Sequence, residues 1–256
     1  MITFSNLGNH GHLGNQMFQY ASTIGIARNN GLHFGFARPD EFGSSYTVRS
    51  SVYDCFELPK EFIKHHANCP VYNETGMAFD EHLYNNCPDG VDLMGYFQSH
   101  KYFDEVEQEI RKRFTFKQSV IDRALIPDES YTTLHVRRTD YIGLESHLSN
   151  LSVRYYNKAL RICPPDDIIV VVSDDVPWCR KTFEGLDFMF AHQDAYADLY
   201  TMTQANCNII SNSSFSWWGA WLNTKSTMTI APKNWFGPAL SHYSTKDLIP
   251  NTWKVI

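Results

Sequence analysis

The chain has 256 residues, of which 43% are hydrophobic and 20% are charged, and its formal net charge is −6 at pH 7. This length and composition fit a globular protein of one large or two modest domains and exclude general disorder. The acidic balance argues against sequence-independent nucleic-acid binding, which requires a basic surface. The six cysteines form no C-x-x-C pair, so neither a zinc site nor a disulfide scaffold is expected.

No stretch of the sequence approaches the roughly 20 apolar residues that span a bilayer. The first residues also lack the basic start and apolar run of a secretory signal. We therefore predict no transmembrane segment and a cytoplasmic location, with peripheral membrane association left open.

The first 36 residues have the pattern of a βαβ unit. Residues 1–7 alternate as a strand does, residues 8–15 form a glycine-rich turn, residues 16–31 have helical spacing, and residues 32–36 form a second strand. Residues 38–90 are interrupted by Pro, Asn and Asp and give no clear pattern. Residues 104–114 then read as a charged helix, with acidic residues early and basic residues late.

Strands and helices alternate again from residue 131 onwards. The predicted strands are YTTLHV, DIIVVVSDD and CNIIS, and the predicted helices are YYNKALRI, AYADLYTMTQAN and FSWWGAWLNT. This alternation indicates an α/β fold with parallel sheets. With a break near residue 118, it predicts two Rossmann-like domains, residues 1–118 and 119–256, facing a cleft.

Residues 211–222, SNSSFSWWGAWL, change abruptly from small polar side chains to tryptophans. They stand where a predicted strand ends and a predicted helix begins. Ligands bind at the carboxyl ends of parallel strands, and a helix N-terminus favours anions. The serines therefore suit an anion, while the tryptophans hold the helix on the sheet. An ordinary serine N-cap on a buried helix explains the stretch almost equally well.

Residues 134–141, LHVRRTDY, carry two arginines just after a predicted strand. Alternation puts His135 and Arg137 on one face and Arg138 on the other. A guanidinium directed into a cleft can bind a diphosphate and offset its charge as it departs. We assign this function to Arg137 and a structural role to Arg138. The alternative is a salt-bridge cluster in which Arg138 and Asp140 neutralise each other.

Three further stretches of the sequence contain candidate site residues. Gly14 allows the first glycine-rich turn, and Asn15 next to it offers an amide donor, although simple helix capping is the alternative. Asp174 and Asp175 end a predicted buried strand, where they could bind a metal, act as a base or, as we favour, cap the next helix. Asp198 near a helix start could accept hydrogen bonds from guanine. No cluster has metal-ligand spacing.

Taken in order, five stretches resemble the α-1,2-fucosyltransferase family. They are HLGNQMFQYA, GYFQSHKYF, HVRRTDY, VVSDD and DLYTMTQANCNIISNSSFSWWGAWL. HVRRTDY matches the family's H-x-R-R-x-D motif, and the resemblance extends from about residue 8 to residue 236. It implies a GT-B-like fold and inverting transfer of L-fucose from GDP-fucose to the 2-hydroxyl of a galactose-terminated glycan. It also implies that no metal or other cofactor takes part.

The resemblance further implies site residues by position. Those of the donor site are His135, Arg137, Asp198, Ser213, Ser214 and Gly14. Arg137 would stabilise the departing diphosphate, Ser213 and Ser214 would contact phosphate, and His135 and Asp198 would lie near the guanine. Asn15 would lie near the fucose. In the mechanism that follows, Asp140 is the candidate general base, and the alternative is that it serves only as a structural partner of an arginine. The domain of residues 1–118 would serve the acceptor and that of residues 119–256 the GDP-fucose.

Other functions stay open at this point. A fucosyltransferase of another linkage, or an enzyme that uses another GDP-sugar, would share these motifs. A non-catalytic carbohydrate-binding protein would use the aromatic residues as sugar platforms but would need neither the arginines nor the helix-start serines. A nucleotide-sugar hydrolase would release fucose to water.

Overall fold

The structure is a computed structural model that describes residues 1–36, 51–63, 69–191 and 194–256. The chain divides into two compact units. Unit 1 contains residues 1–117 and 244–250, and unit 2 contains residues 118–243 and 251–256. Within the stretch that gave no sequence pattern, residues 38–50 and 64–68 lie outside the described residues.

Unit 1 is built on a four-stranded parallel sheet with the strand order β2-β1-β4-β3. The strands are β1 (Ile2–Phe4), β2 (Phe34–Phe36), β3 (Val71–Asn73) and β4 (Asp92–Met94). Helix α1 (Leu13–Asn29) joins β1 to the parallel strand β2, so the predicted βαβ unit is confirmed. The helix ends before Gly31, whose φ of 63° lies in the left-handed region that glycine adopts without strain.

The other helices of unit 1 are short. They are α2 (Val52–Cys55), α3 (Glu81–Asn86), α4 (Glu107–Arg113) and the 3-10 helices His100–Tyr102 and Asp104–Val106. The predicted charged helix over residues 104–114 is therefore a 3-10 turn followed by α4. The segment of residues 244–250 is fastened to unit 1 because Asp247 accepts hydrogen bonds from the Phe79 amide and from Lys101 Nζ.

Unit 2 is built on a six-stranded parallel sheet with the order β10-β9-β8-β5-β6-β7. The strands are β5 (Tyr131–Val136), β6 (Ile168–Ser173), β7 (Phe188–Phe190), β8 (Cys207–Ile209), β9 (Met228–Ala231) and β10 (Lys254–Val255). The first strand of the unit lies in the middle, the next two lie on one side, and the last three lie on the other. This is the doubly wound Rossmann order, so the predicted α/β fold with parallel sheets is confirmed.

The helices of unit 2 are α5 (Gln118–Ile121), α6 (Val153–Leu160), α7 (Val176–Thr182), α8 (Ala195–Thr203), α9 (Ser214–Leu222) and the 3-10 helix Pro238–Leu240. Helix α5 precedes the first strand of the unit, and the other helices lie between its strands. Trp217 and Trp218 of α9 are fully buried, in line with the expectation that the tryptophans hold this helix on the sheet. Helices α8 and α9 come close at Gly219, where an added Cβ would lie 2.8 Å from the Met202 side chain.

Candidate active site

The strand order of unit 2 defines one switch point, between β5 and β8. These two parallel strands are neighbours, and the connections that follow them run to opposite sides of the sheet. Ligands of doubly wound sheets bind in the crevice at such a point, outside the carboxyl ends of the strands. The segment after β5 begins with Arg137, and the segment after β8 contains Ser211 and Ser213. Both polar motifs of the sequence therefore meet at this switch point.

His135 and Ser211 bridge the two strands of the switch point. His135 Nδ1 lies 2.8 Å from Ser211 Oγ, and the imidazole packs 5.3 Å from the Phe215 ring. His135 is 3% exposed. Burial, reinforced by the positive charge of Arg137, lowers the pKa of His135 to about 3. The imidazole is therefore neutral near pH 7, so it serves as a hydrogen-bonding group and carries no charge to a ligand.

Arg137 is held by carboxylates at the end of β5. Its Nη2 donates to Asp140 Oδ2 over 2.6 Å, and its Nε lies 3.4 Å from Asp174 Oδ2. The guanidinium also lies 5.9 Å from the centre of the Tyr141 ring, and 24% of the side chain is exposed. Burial opposes the charge, but the hydrogen bond to Asp140 and the field of Asp174 raise the pKa of Arg137. The switch point thus contains a permanent, oriented cation.

Arg138 occupies a separate structural cluster. Its Nε donates to Asp175 Oδ2 over 3.1 Å, and its guanidinium stacks 4.4 Å from the centre of the Trp178 ring. The alternative pairing of Arg138 with Asp140 is therefore wrong. The backbone turns directly after β5, where Asp174 accepts from the amides of Arg138 and Thr139. This turn brings Asp140 beside Arg137 instead.

Asp175 is the N-cap of α7, because its carboxylate accepts from the Trp178 amide. The prediction that one of the two adjacent carboxylates caps the next helix is confirmed. Asp174 does something different: it binds backbone and side-chain donors of Thr139 and faces Arg137. Within the described residues, no group of three or more His, Cys, Asp or Glu side chains could hold a metal ion.

Ser213 is the N-cap of α9, and Ser214 is the first residue of that helix. The Ser213 side chain does not cap the helix and instead forms a hydrogen bond with the hydroxyl of Tyr141, which also donates to the Asn212 carbonyl. The first N–H groups of a helix have no partner within it and carry partial positive charge. Residues 213–214 therefore place the positive end of α9 beside the loop that carries Arg137.

Asp198 lies in the first turn of α8, whose N-cap is Asp194. Asp194 accepts from the amides of Tyr196 and Ala197, so Asp198 is not used for capping. Asp198 is 8% exposed. Its proposed contact with guanine remains a prediction.

Asn15 and Gly14 lie in unit 1, in the first turn of α1. The expectation that Gly14 makes the turn is wrong, because Gly14 is already helical and buried. The turn is made by Gly8 and Gly11, whose φ values are 90° and 87°. Asn15 Oδ1 accepts from Gln98 Nε2 over 2.8 Å. The motif GYFQSHKYF contained Gln98, but no local signal in the sequence connects it to Asn15.

A cation and a helix N-terminus at the switch point of a doubly wound sheet are typical of the class of proteins that bind phosphorylated nucleotides. The chain belongs to Glycosyl transferase family 11, whose sequence profile matches residues 57–255. It is therefore a glycosyltransferase. No helix among the described residues has the length and apolar character needed to cross a membrane.

Two enzymes align with this chain over most of its length. An alpha-1,2-colitosyltransferase of Escherichia coli is 29% identical over 95% of this chain and 95% of its own length. The mouse galactoside 2-alpha-L-fucosyltransferase Sec1 is 28% identical over 86% of this chain and 65% of its own length. These relatives agree with the resemblance to α-1,2-fucosyltransferases that the motifs indicated.

Solved fucosyltransferase structures share the fold. NodZ alpha-1,6-fucosyltransferase soaked with GDP-fucose has a TM-score of 0.58 and 12% identity, over 95% of this chain and 97% of that one. POFUT1 in complex with GDP has a TM-score of 0.55 and 11% identity, over 90% and 96% of the two chains. This likeness confirms the predicted GT-B-like fold.

Proposed function

We propose that the protein transfers L-fucose from GDP-fucose to the 2-hydroxyl of a galactose-containing glycan, with inversion at the anomeric carbon. The observation that carries the proposal is the position of Arg137 at the switch point of unit 2, in a member of family 11. The names of the Escherichia coli and mouse relatives specify transfer to a 2-position, and that of the mouse relative specifies a galactoside. We expect the reaction to take place in the cytoplasm.

The donor would be bound chiefly by unit 2. Arg137 and the N-terminus of α9 at Ser213 and Ser214 bind the diphosphate, because both present positive charge at the same switch point. His135 and Asp198 lie near the guanine. The neutral imidazole of His135 suits contact with an uncharged base better than contact with phosphate.

In the transfer step, the acceptor oxygen attacks the anomeric carbon from the face opposite GDP. The new bond from carbon to acceptor oxygen forms as the bond to the β-phosphate oxygen breaks, and GDP leaves with the electron pair. Arg137 and the α9 N-terminus stabilise the charge on the departing diphosphate. Asn15, with Gly14 beside it, lies near the fucose. Asp140 is the candidate acceptor of the hydroxyl proton, although its carboxylate also binds Arg137.

A second donor is favoured by a specific observation. The Escherichia coli relative that aligns over 95% of this chain is named a colitosyltransferase. Colitose is L-fucose without its 3-hydroxyl, so the two sugars differ by one hydrogen-bonding group. A site that hydrogen-bonds the 3-hydroxyl would reject colitose, because its own polar group would lose its partner. The ratio of the two transfer rates therefore identifies the donor.

The test is fucose transfer from GDP-fucose to galactose-ended acceptors in the presence of a chelator. We expect the parent protein to form the α-1,2 linkage and Arg137→Ala to lose at least about 100-fold of that activity. Arg154→Ala, which removes an exposed arginine of α6 in the same unit, is the charge-matched control and should retain full activity.

Each other outcome has a definite meaning. Activity abolished by the chelator would overturn the metal-free mechanism. Faster transfer from the colitose donor would make colitose the substrate. Release of fucose to water without transfer would indicate a hydrolase. Failure to bind GDP would contradict the proposed function.

A further inference from the structure

The carboxyl ends of the neighbouring parallel strands β1 and β4 lie side by side in the sheet of unit 1. The chain that leaves β1 enters α1, whose first turn contains Asn15, and the chain that leaves β4 leads through residues 95–97 to Gln98. These two connections meet in a hydrogen bond: Gln98 Nε2 donates to Asn15 Oδ1 over 2.8 Å. The two residues are 83 positions apart in sequence. A residue of the proposed site is thus held by a partner with no assigned role.

The backbone before Gln98 is fixed by a partly buried carboxylate. Glu74 accepts from the amides of Tyr96 over 2.7 Å and Phe97 over 3.0 Å. Phe97 has a φ of 50°, a left-handed conformation that a bulky residue adopts only when its surroundings enforce it. Ser22 of α1 also donates to the Phe97 carbonyl over 3.0 Å. The loop is therefore held by hydrogen bonds both to Glu74, directly after β3, and to α1, and these contacts fix the backbone that leads to Gln98.

Gln98 itself is 8% exposed, so its carboxamide has little freedom to turn away from Asn15. The next residue, Ser99, is fully buried and donates to the Asp247 carbonyl over 2.9 Å. Both sides of Gln98 are thus anchored. An anchored donor of this kind holds an acceptor in one orientation at a low cost in entropy.

The opposite side of Asn15 is closed by Gly11. A Cβ on Gly11 would collide with Asn15 Nδ2, and the φ of 87° at Gly11 also requires glycine. The carboxamide of Asn15 therefore stands between Gly11 and Gln98. Its oxygen end is turned towards Gln98 and its nitrogen end towards Gly11.

We propose that Gln98 is a positioning residue for Asn15 in the transfer reaction: it orients the Asn15 carboxamide so that the donor end is the one turned away from Gln98. The inference rests on the proposed function, in which Asn15 lies near the fucose. Gln98 does not touch the substrate, and it acts only through Asn15.

The experiment compares two isosteric substitutions. Gln98→Glu replaces the donor by an acceptor, which pairs with the Asn15 N–H₂ group and reverses the carboxamide. Gln98→Met keeps the volume and leaves Asn15 without its donor. We expect kcat for fucose transfer to fall at least tenfold in Gln98→Glu and less in Gln98→Met, while KM for GDP-fucose changes less than threefold in both. Thermal unfolding midpoints identify any variant that loses the fold.

A double-mutant cycle separates positioning from a merely structural role. If Gln98 acts only through Asn15, the double variant Asn15→Ala with Gln98→Met has the same kcat as Asn15→Ala alone. Independent losses that multiply would overturn the inference, as would a Gln98→Glu variant with the kcat of the parent.

The failure of this inference is distinguishable from the failure of the proposed function. A parent protein that transfers fucose, together with an Asn15→Ala variant of equal activity, would overturn the positioning role alone. A parent protein that transfers no sugar from a GDP-sugar would overturn both.

Discussion

Arg137 Nη2 and Asp140 Oδ2 lie 2.6 Å apart, three residues from each other in sequence. The pair combines the two chemical groups that the proposed transfer needs, a cation for the diphosphate and a carboxylate for a proton. Because the carboxylate is bound to the guanidinium, its first role is to orient Arg137. Arg138, the other arginine of the motif, is removed from this chemistry by its pair with Asp175.

The role of Asp140 can be tested with Asp140→Asn. The amide still accepts from Arg137 but loses the charge, so we expect transfer to fall at least about tenfold. A tenfold loss is that of one weakened charge-assisted hydrogen bond of about 1.5 kcal/mol and corresponds to an orienting role alone. Steady-state transfer rates measure the loss, and Asp166→Asn at an exposed position of unit 2 is the control. A loss well above about 100-fold would instead indicate that Asp140 is the general base.

The buried His135 makes unit 2 sensitive to acid. Its pKa is about 3 in the folded protein and 6.5 in the unfolded chain, because burial and Arg137 disfavour its charge. Between these values the unfolded chain binds a proton that the folded chain does not, so stability is lost as the pH falls below 6.5. We expect the free energy of unfolding, measured with urea, to fall between pH 7 and pH 5 by about 2 kcal/mol more in the parent than in His135→Gln. A difference that stays constant with pH would contradict the prediction.

Glu74 gives the stability of unit 1 the opposite dependence on pH. Burial raises its pKa to about 7 from 4.5, although the amides of Tyr96 and Phe97 oppose the shift. From pH 4.5 to 7 the folded chain keeps a proton that the unfolded chain has lost, so the contribution of Glu74 to stability falls as the pH rises. Its titratable neighbour Tyr102 stays neutral there, because burial raises the pKa of that phenol.

We expect Glu74→Gln to remove this pH dependence of the unfolding free energy, which amounts to at most about 3 kcal/mol. Urea unfolding of parent and variant at pH 4.5, 6 and 8 measures it. The exposed Glu81→Gln on α3 is the matched control and should follow the parent at each pH. A Glu74→Gln variant that also follows the parent would show that Glu74 titrates normally.

The close approach of α1 to residues 102–103 depends on Gly25. A Cβ at this position would collide with the Tyr102 carbonyl oxygen, which belongs to the backbone and cannot move aside cheaply. We expect Gly25→Ala to destabilise the protein by about 3 kcal/mol, the upper range for overpacking. Gly76→Ala, where an added Cβ meets nothing within 4 Å, should change the unfolding free energy by less than about 0.5 kcal/mol. Similar thermal unfolding midpoints for the two variants would contradict this account.

Much of the fold could be predicted from local pattern. The β-branched run of residues 168–172 forms β6, and the helical spacing after residue 16 belongs to α1. These elements are predictable because a buried parallel strand and a buried helix each impose their own residue period. The start of α1 was less predictable, because glycines at 8, 11 and 14 look alike in sequence and only two of them have positive φ.

The pairing of side chains at the site could not be predicted in the same way. Arg137 and Arg138 are adjacent and chemically identical, and the turn after β5 decides which one meets Asp140. The bond between Gln98 and Asn15 requires β1 and β4 to be neighbours, which depends on strand order. Local propensity carries no information about contacts between residues so far apart in the chain.

The sequence by itself determined the succession of strands and helices and the chemical groups placed after each strand. It also carried the motifs by which the chain resembles the α-1,2-fucosyltransferases. Only the tertiary structure decided which strands became neighbours, and so which groups meet: His135 with Ser211, Arg137 with Asp140 and Asn15 with Gln98. The reason is physical. Residue period and turn chemistry act over a few residues, whereas the order of strands in a sheet is selected by the burial of whole faces at once.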